Sequence, residues 1–235
     1  MEPELNIAIL NCSAPYKPLQ HYGSAAHIIE EWLFPHFSEA SFSEVDIAAG
    51  KGFPERNSFD GVIVSGSEKG VYDDCEWMQP LKEYLQSLMQ ARVPIFGICF
   101  GHQVMAEAFG GKAEESSHGF VVGIQKYTEN DHSYSAYAMH RDQVVQVPES
   151  ATVTASSSYC PIAALSYEFP ARSVQFHPEF KTPLVTEAIE VFDGDLLSRN
   201  EALSARKSMQ ESNVQESLYA KEIADFFRSA VTDKT

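Results

Sequence analysis

Cys99 stands in the run Gly97-Ile98-Cys99-Phe100-Gly101-His102-Gln103, where a short apolar segment gives way to an amphipathic one. A nucleophile at such a strand-to-helix elbow is forced into a strained turn. The residues two before and two after it must be small, because the backbones come too close for a Cβ. Gly97 and Gly101 meet that need. The helix that follows aims its N-terminal amides and positive dipole end at the sulfur, which favours thiolate, and the first of those amides is positioned to donate to an oxyanion. The plain alternative for Cys99 is a small buried residue at a tight turn.

The second group is Gln175-Phe176-His177-Pro178-Glu179, where a strand from Arg172 is stopped by Pro178. A histidine at a strand end can reach a neighbouring elbow, and a carboxylate two residues later can hold its far nitrogen. These are the base and orienter of a Cys-His-Glu triad. Taken singly, His177 is one of eight histidines and reads as a packing residue; taken with Cys99, the two motifs stop looking independent.

The surrounding chain supplies elements suited to hold them. Leu5–Leu10 reads as a strand, and Ser24–Phe37 carries Ile28, Ile29, Trp32 and Leu33 at helical spacing. Phe42–Ile47 and the β-branched run Gly61–Ser65 read as strands, and Trp77, Leu81, Tyr84, Leu85 and Leu88 mark one face of a helix. Val93–Ile98 is the next buried strand, with a helix over Gly101–Phe109 closed by Gly110 and Gly111. This alternation predicts an α/β fold with an open, mostly parallel sheet and helices on both faces. From Val121 the pieces Val121–Tyr127, Gln143–Val147, Thr152–Ala155, Ile162–Leu165 and Arg172–Phe176 read as a small antiparallel elaboration. A helical C-terminal tail follows Pro183, ending in a stripe of Tyr219, Ile223, Phe226, Phe227 and Ala230; the polar Asp193–Gln215 between reads as a solvated helix or loop. No linker is apparent, so residues 1–235 are expected to form a single domain, with a core of about 5–180 and an extension of 181–235.

Composition narrows the chemistry. The 235 residues are 44% hydrophobic and 21% charged, which is ordinary for a globular chain and excludes disorder or a fibrous repeat. A net charge of −16 repels phosphate backbones and anionic lipid, so nucleic-acid partners are not expected. No apolar run is long enough to span a membrane and Met1–Leu5 offers no basic start for a signal peptide, so the expected location is the cytoplasm. Cys12, Cys75, Cys99 and Cys160 lack metal-ligand spacing and are expected to be free thiols, with Cys12, Cys75 and Cys160 structural. Asp73, Asp74 and Glu76 read as a solvated acidic loop. No metal and no cofactor are assigned.

GICFGHQ at 97–103 together with QFHPEF at 175–180 resembles the class I, triad-type glutamine amidotransferases. The resemblance runs from about Leu5 to Phe180. Val64-Ser65-Gly66-Ser67 resembles the family's glycine loop and His140-Arg141-Asp142-Gln143-Val144 its HGDxV segment. Within the family the chain is most similar to stand-alone members related to the glutaminase half of GMP synthetase, a group that includes γ-glutamyl peptidases. The resemblance implies a flavodoxin-like fold and a reaction on glutamine or another γ-glutamyl amide. Cys99 would attack the amide carbon to form a γ-glutamyl thioester, His177 would move the proton and Glu179 would orient the imidazole. The amides of Phe100 and of the Gly66-Ser67 turn would form the oxyanion hole; Gln103 would bind the amino-acid end of the substrate, with His118, Gly119 and Phe120 in a further substrate loop.

Two positions depart from the family: Glu68 stands where most relatives have Pro, and Arg141 where they have Gly. Each either alters what is attached to the γ-glutamyl group or simply faces water. Three functions follow. One is a glutaminase that passes ammonia to a synthetase partner in trans, since the chain carries no phosphate loop or ATP-pyrophosphatase motif to activate an acceptor. The second is a self-sufficient γ-glutamyl hydrolase or peptidase that releases a different amine. The third is a non-catalytic regulatory relative, against which the intact Cys99, His177 and Glu179 argue.

Overall fold

A computed structural model describes residues 5–14, 16–212, 214 and 216–232. The elements are β1 (Leu5–Asn11), α1 (Ala25–Leu33), β2 (Ala40–Asp46), β3 (Gly61–Val64), α2 (Met78–Gln90), β4 (Ile95–Ile98) and α3 (Phe100–Ala108), then β5 (Lys112–Glu115), β6 (Val121–Glu129), β7 (His132–His140), β8 (Asp142–Gln146), β9 (Ala151–Ser156), β10 (Ala164–Tyr167) and β11 (Ala171–Val174). Helices α4 (Thr182–Phe192), α5 (Arg199–Glu211) and α6 (Glu216–Thr232) close the described chain.

Nine strands form one open mixed sheet in the order β2-β1-β3-β4-β11-β10-β9-β6-β7, and β5 pairs with β8 in a small second sheet. The first five run parallel, and the antiparallel strands begin at β10. The α/β architecture read from the sequence is therefore present, with its parallel core in flavodoxin-like order.

Alternation along β1 shows why the core is two-sided. Ile7 and Ile9 join α1 and α6 through Ile29, Trp32, Leu33, Ile223 and Phe227. Ala8 and Leu10 face the other way, into Leu81, Leu85 and Leu88 of α2 and Val104 and Met105 of α3. A strand buried on both faces has no polar side, which is why β1, β3 and β4 read as apolar runs. A third cluster joins Val122 and Ile124 of β6 to Val185, Ala188 and Ile189 of α4 and Ala202 and Ala205 of α5.

Several sequence expectations need correction. Helix α3 starts at Phe100, directly after Cys99, and β10 lies two residues later than expected. Cys75 lies before α2, which starts at Met78. Strands β5 and β7 were not anticipated; β7 returns from β6 through Asn130 and Asp131, both at positive φ as a tight hairpin turn requires. The stretch read as a solvated helix or loop does contain a helix, α5, which begins with a Ser198/Glu201 capping box, but it buries Ala202 and Ala205 against β6 rather than being wholly solvated. Its close approach depends on Gly123, at φ +97, where a Cβ would strike Ser208 Oγ. Positions 213 and 215 of that stretch lie outside the described residues, as do residues 1–4 of the expected signal-free start. No helix among the described residues is long and apolar enough to cross a membrane.

Candidate active site

The carboxyl ends of β3, β4 and β11, neighbours in the parallel core, each deliver one part of the site. At the end of β4, Cys99 holds φ 54° and ψ −103°, a conformation that costs an L-residue strain and persists only where the surroundings enforce it. Its N–H donates to Val174 O of β11 at 2.8 Å, which ties the elbow to the neighbouring strand. The flanking glycines are sterically required. A Cβ on Gly101 would strike the carbonyl oxygen of Val64, and one on Gly97 would lie 2.7 Å from the Gly101 backbone. Phe100 opens α3, where the first amides have no intrahelical acceptor.

From the end of β11 comes His177, buried, with Nδ1 2.7 Å from Oε1 of the buried Glu179. Its backbone N–H donates to Tyr137 O of β7 at 2.8 Å, and Phe180 stacks on its ring with centroids 4.0 Å apart. Burial alone would push the imidazole pKa down. The Glu179 carboxylate and the nearby Cys99 sulfur outweigh that and raise it to about 10, so the ring is cationic at neutral pH. The other carboxylate oxygen, Glu179 Oε2, is buried without a hydrogen-bond partner among the described residues.

The third part is the loop after β3. A Cβ on Gly66 would lie 3.2 Å from His177 Cε1 and 3.8 Å from Cys99 Cβ, so this glycine borders both residues. Ser65 Oγ accepts from Cys12 N–H at 2.9 Å and donates to Gly66 O at 2.7 Å. Glu68 Oε2 accepts from Ala14 N–H at 3.2 Å and from Ser13 Oγ at 3.4 Å. Glu68, an exposed side chain, thus ties the glycine loop to the exit of β1. Ser67 Oγ accepts from Lys69 N–H within the same loop.

Gln103 is buried, and its Nε2 donates to Asp142 O at 2.9 Å and Gln175 Oε1 at 3.2 Å. His118, Gly119 and Phe120 contact other parts of the chain. His118 is exposed, Phe120 N–H donates to Glu201 Oε1 of α5, and Arg141 lies 5.8 Å over the Phe120 ring. Among the described residues, none of these three shares a hydrogen bond with Cys99, His177 or Glu179. Arg141 also faces Glu115 at 3.8 Å.

Sequence reasoning passed over Phe180, Gln175, Tyr137 and His140 as site neighbours. For Phe180 and Gln175 the signal was present, since both flank His177 within residues 175–180. His140 is buried, its Nδ1–H donating to Asp142 O and its Nε2 accepting from Tyr159 O–H, and burial lowers its pKa to about 3. His102 is likewise buried between Ser173 and Ile162 O, its pKa lowered by burial to about 4. Among the cysteines, burial pushes the Cys12 thiol far up and the Cys160 thiol to about 12. All four cysteines are free.

A strained thiol, a cationic imidazole held by a buried carboxylate and a glycine loop beside both make an arrangement suited to acyl transfer. Comparison with known proteins agrees with that chemistry. The family described as "Glutamine amidotransferase class-I" matches residues 37–190. Gamma-glutamyl peptidase 3 of Arabidopsis thaliana is 28% identical over 195 residues, covering 75% of this chain and 78% of the relative. The glutamine-hydrolyzing GMP synthase subunit of Methanopyrus kandleri is 36% identical over 141 residues, covering 54% of this chain and 70% of the relative. In structure, a glutamine amidotransferase from Thermotoga maritima superposes with a TM-score of 0.73 at 15% identity, over 99% of this chain and 98% of the other.

Proposed function

The chain belongs to the class I glutamine amidotransferases, and from that membership we propose that it hydrolyses a γ-glutamyl amide through a thioester on Cys99. The observation that carries this reading is Cys99 at φ 54° with the His177–Glu179 pair, 2.7 Å long and buried, beside it. The Cys99 thiolate adds to the γ-carbonyl carbon, and the oxyanion that develops is held by the amide of Phe100 and one from the Gly66-Ser67 turn. The His177 imidazolium gives its proton to the departing nitrogen, and the amine leaves. A water then loses a proton to the neutral imidazole and attacks the thioester, releasing the γ-carboxylate and restoring the thiolate. Glu179 holds Nδ1 throughout, so the other ring nitrogen faces the reaction.

The leaving amine is proposed to be larger than ammonia, and the site to work without a partner. The Ser65 and Glu68 contacts support this, because they hold the glycine loop within the single chain instead of leaving it for another protein to order. The similarity to a γ-glutamyl peptidase over three quarters of the chain points the same way. The competing reading is a glutaminase that feeds ammonia to a synthetase in trans, as the similarity to part of a GMP synthase suggests. The whole described chain is proposed to act as one domain in the cytoplasm.

The test is glutamate release by the purified chain from glutamine and from a panel of γ-glutamyl peptides and amines. Faster turnover of a conjugate than of glutamine is expected. Slow, Cys99-dependent hydrolysis of glutamine alone would favour the ammonia-feeding glutaminase. Cys99→Ala and His177→Ala should each lower kcat by about a thousandfold or more, and Glu179→Gln by less. Undiminished turnover in Cys99→Ala would sink the mechanism.

A further inference from the structure

Gln175, the first residue beyond β11, is fully buried. Its Nε2 lies 3.7 Å from Cys99 Sγ, and its Oε1 lies 3.2 Å from Gln103 Nε2. The two ends of a carboxamide have nearly the same shape, so its partners decide which way it points. Here a backbone carbonyl decides. Asp142 O can only accept, and it faces Gln103 at 2.9 Å, so Gln103 must present its NH2 there. The second hydrogen of that NH2 points to Gln175, which must turn its oxygen to Gln103 and its own NH2 to the sulfur. His140 Nδ1–H donates to the same Asp142 carbonyl at 3.0 Å, filling the acceptor that anchors the relay.

The sulfur needs such a donor. Met139 O stands 3.8 Å from Cys99 Sγ and accepts the thiol proton while it is there. Once the proton leaves, a carbonyl dipole faces a negative sulfur and repels it, and the Gln175 N–H, beside the His177 imidazolium, helps to offset that repulsion. We propose that Gln175 is a further catalytic residue whose carboxamide N–H steadies the charged sulfur of Cys99, and that Gln103 is the positioning residue that aims it. This rests on the reading of Cys99 as the nucleophile, and it gives Gln103 a task beside binding the amino-acid end of the substrate, since the relay uses only its Nε2.

Other titratable groups gather around Cys99 and His177. His177, with Glu179 behind it, follows β11; Tyr159 and Cys160 precede β10; His140 ends β7. Replacing Gln175 or Gln103 by an apolar residue alters the charge of none of them.

The test follows alkylation of Cys99 by iodoacetamide against pH, read by mass on the Cys99 peptide. Wild type, Gln175→Leu and Gln103→Met are compared as full chains whose folding is checked by circular dichroism. In both variants the half-maximal pH should move up by about one unit or more, the size expected for losing a hydrogen bond to a charged group. On a γ-glutamyl substrate kcat should fall in both variants, with KM little changed in Gln175→Leu. An unmoved profile in either folded variant overturns the proposal, as does a raised KM with unmoved alkylation in Gln103→Met.

If both variants fail to fold, the wild-type chain still decides. With 15N-labelled glutamine, a carboxamide proton of Gln175 should shift when Cys99 titrates or is alkylated, and a resonance indifferent to both overturns the proposal. Alkylation needs no substrate, so failure to turn over any γ-glutamyl compound would count against the activity and not against this relay.

Discussion

The rings of His177 and Phe180 lie 7° from parallel with their centroids 4.0 Å apart. Glu179 fixes one nitrogen of the imidazole, and Phe180 fixes the plane in which the other must point. Phe180→Leu keeps an apolar side chain but no flat face. It should lower kcat by about tenfold with KM near wild type, because a small misalignment of a proton-transfer group is costly. Steady-state kinetics on the best γ-glutamyl substrate read the split; an unchanged kcat would show that the stack does not position the base.

Two glycines of the site should respond oppositely to alanine. At Gly101 the new methyl would strike the backbone of Val64, which cannot move without shifting β3, so Gly101→Ala should lose about 3 kcal/mol or more of stability. At Gly66 the methyl would press on the His177 ring instead, so Gly66→Ala should keep its melting temperature and lose about tenfold or more in kcat. Thermal unfolding and kinetics on the two proteins separate the cases, and equal stability losses would contradict the contact geometry.

Glu68→Ala removes the acceptor that joins the glycine loop to Ser13 and Ala14. If the latch holds the oxyanion loop ready, kcat should fall several-fold, by about the worth of one exposed charge-assisted hydrogen bond. Alkylation of Cys99 should be unaffected, since the sulfur itself is untouched. A variant with wild-type kcat would show that the loop holds its shape without Glu68.

Acid should unfold the chain through two histidines remote from the surface. His102 and His140 are neutral when folded, with pKa values lowered by burial to about 4 and about 3, whereas in the unfolded chain they titrate near the usual 6.5. Below pH about 6.5 the unfolded state therefore binds two protons that the folded state refuses. Their contribution is complete above that pH and is lost at about 2.7 kcal/mol per pH unit as the pH falls towards 4. His177 adds no slope there, because its raised pKa leaves it protonated in both states; its contribution is lost only as the pH rises from about 6.5 through about 10. Urea unfolding between pH 4 and 7 measures the slope, and His102→Gln should roughly halve it. A slope unchanged in that variant would refute the assignment.

The catalytic half of the molecule was the more legible in sequence, for a physical reason. β3, β4 and the stretch of β1 from Ile7 to Leu10 are buried on both faces and so are apolar, and the elbow glycines are demanded by backbone contacts that no other residue survives. Strand β7, His132–His140, was missed because its exposed end mixes His and Ser with Tyr, although the Asn130-Asp131 turn before it was a usable signal. The burial of helix α5 was not legible because it packs through alanines onto a glycine, leaving no apolar stripe. The Glu68 latch and the Gln103-Gln175 relay join residues 54 and 72 positions apart, and no local pattern encodes such meetings.

β11 is the last strand of the sheet in chain order, yet it lies at the sheet's middle, between β4 and β10. A chain emerging from the ribosome must therefore hold two unpaired strand edges until residues 171–174 arrive, which is when it is most open to sticking to other chains. The same event brings His177 to Cys99. The nascent protein thus carries its thiol without its base through the whole vulnerable interval, and reactivity is switched on by the step that seals the sheet.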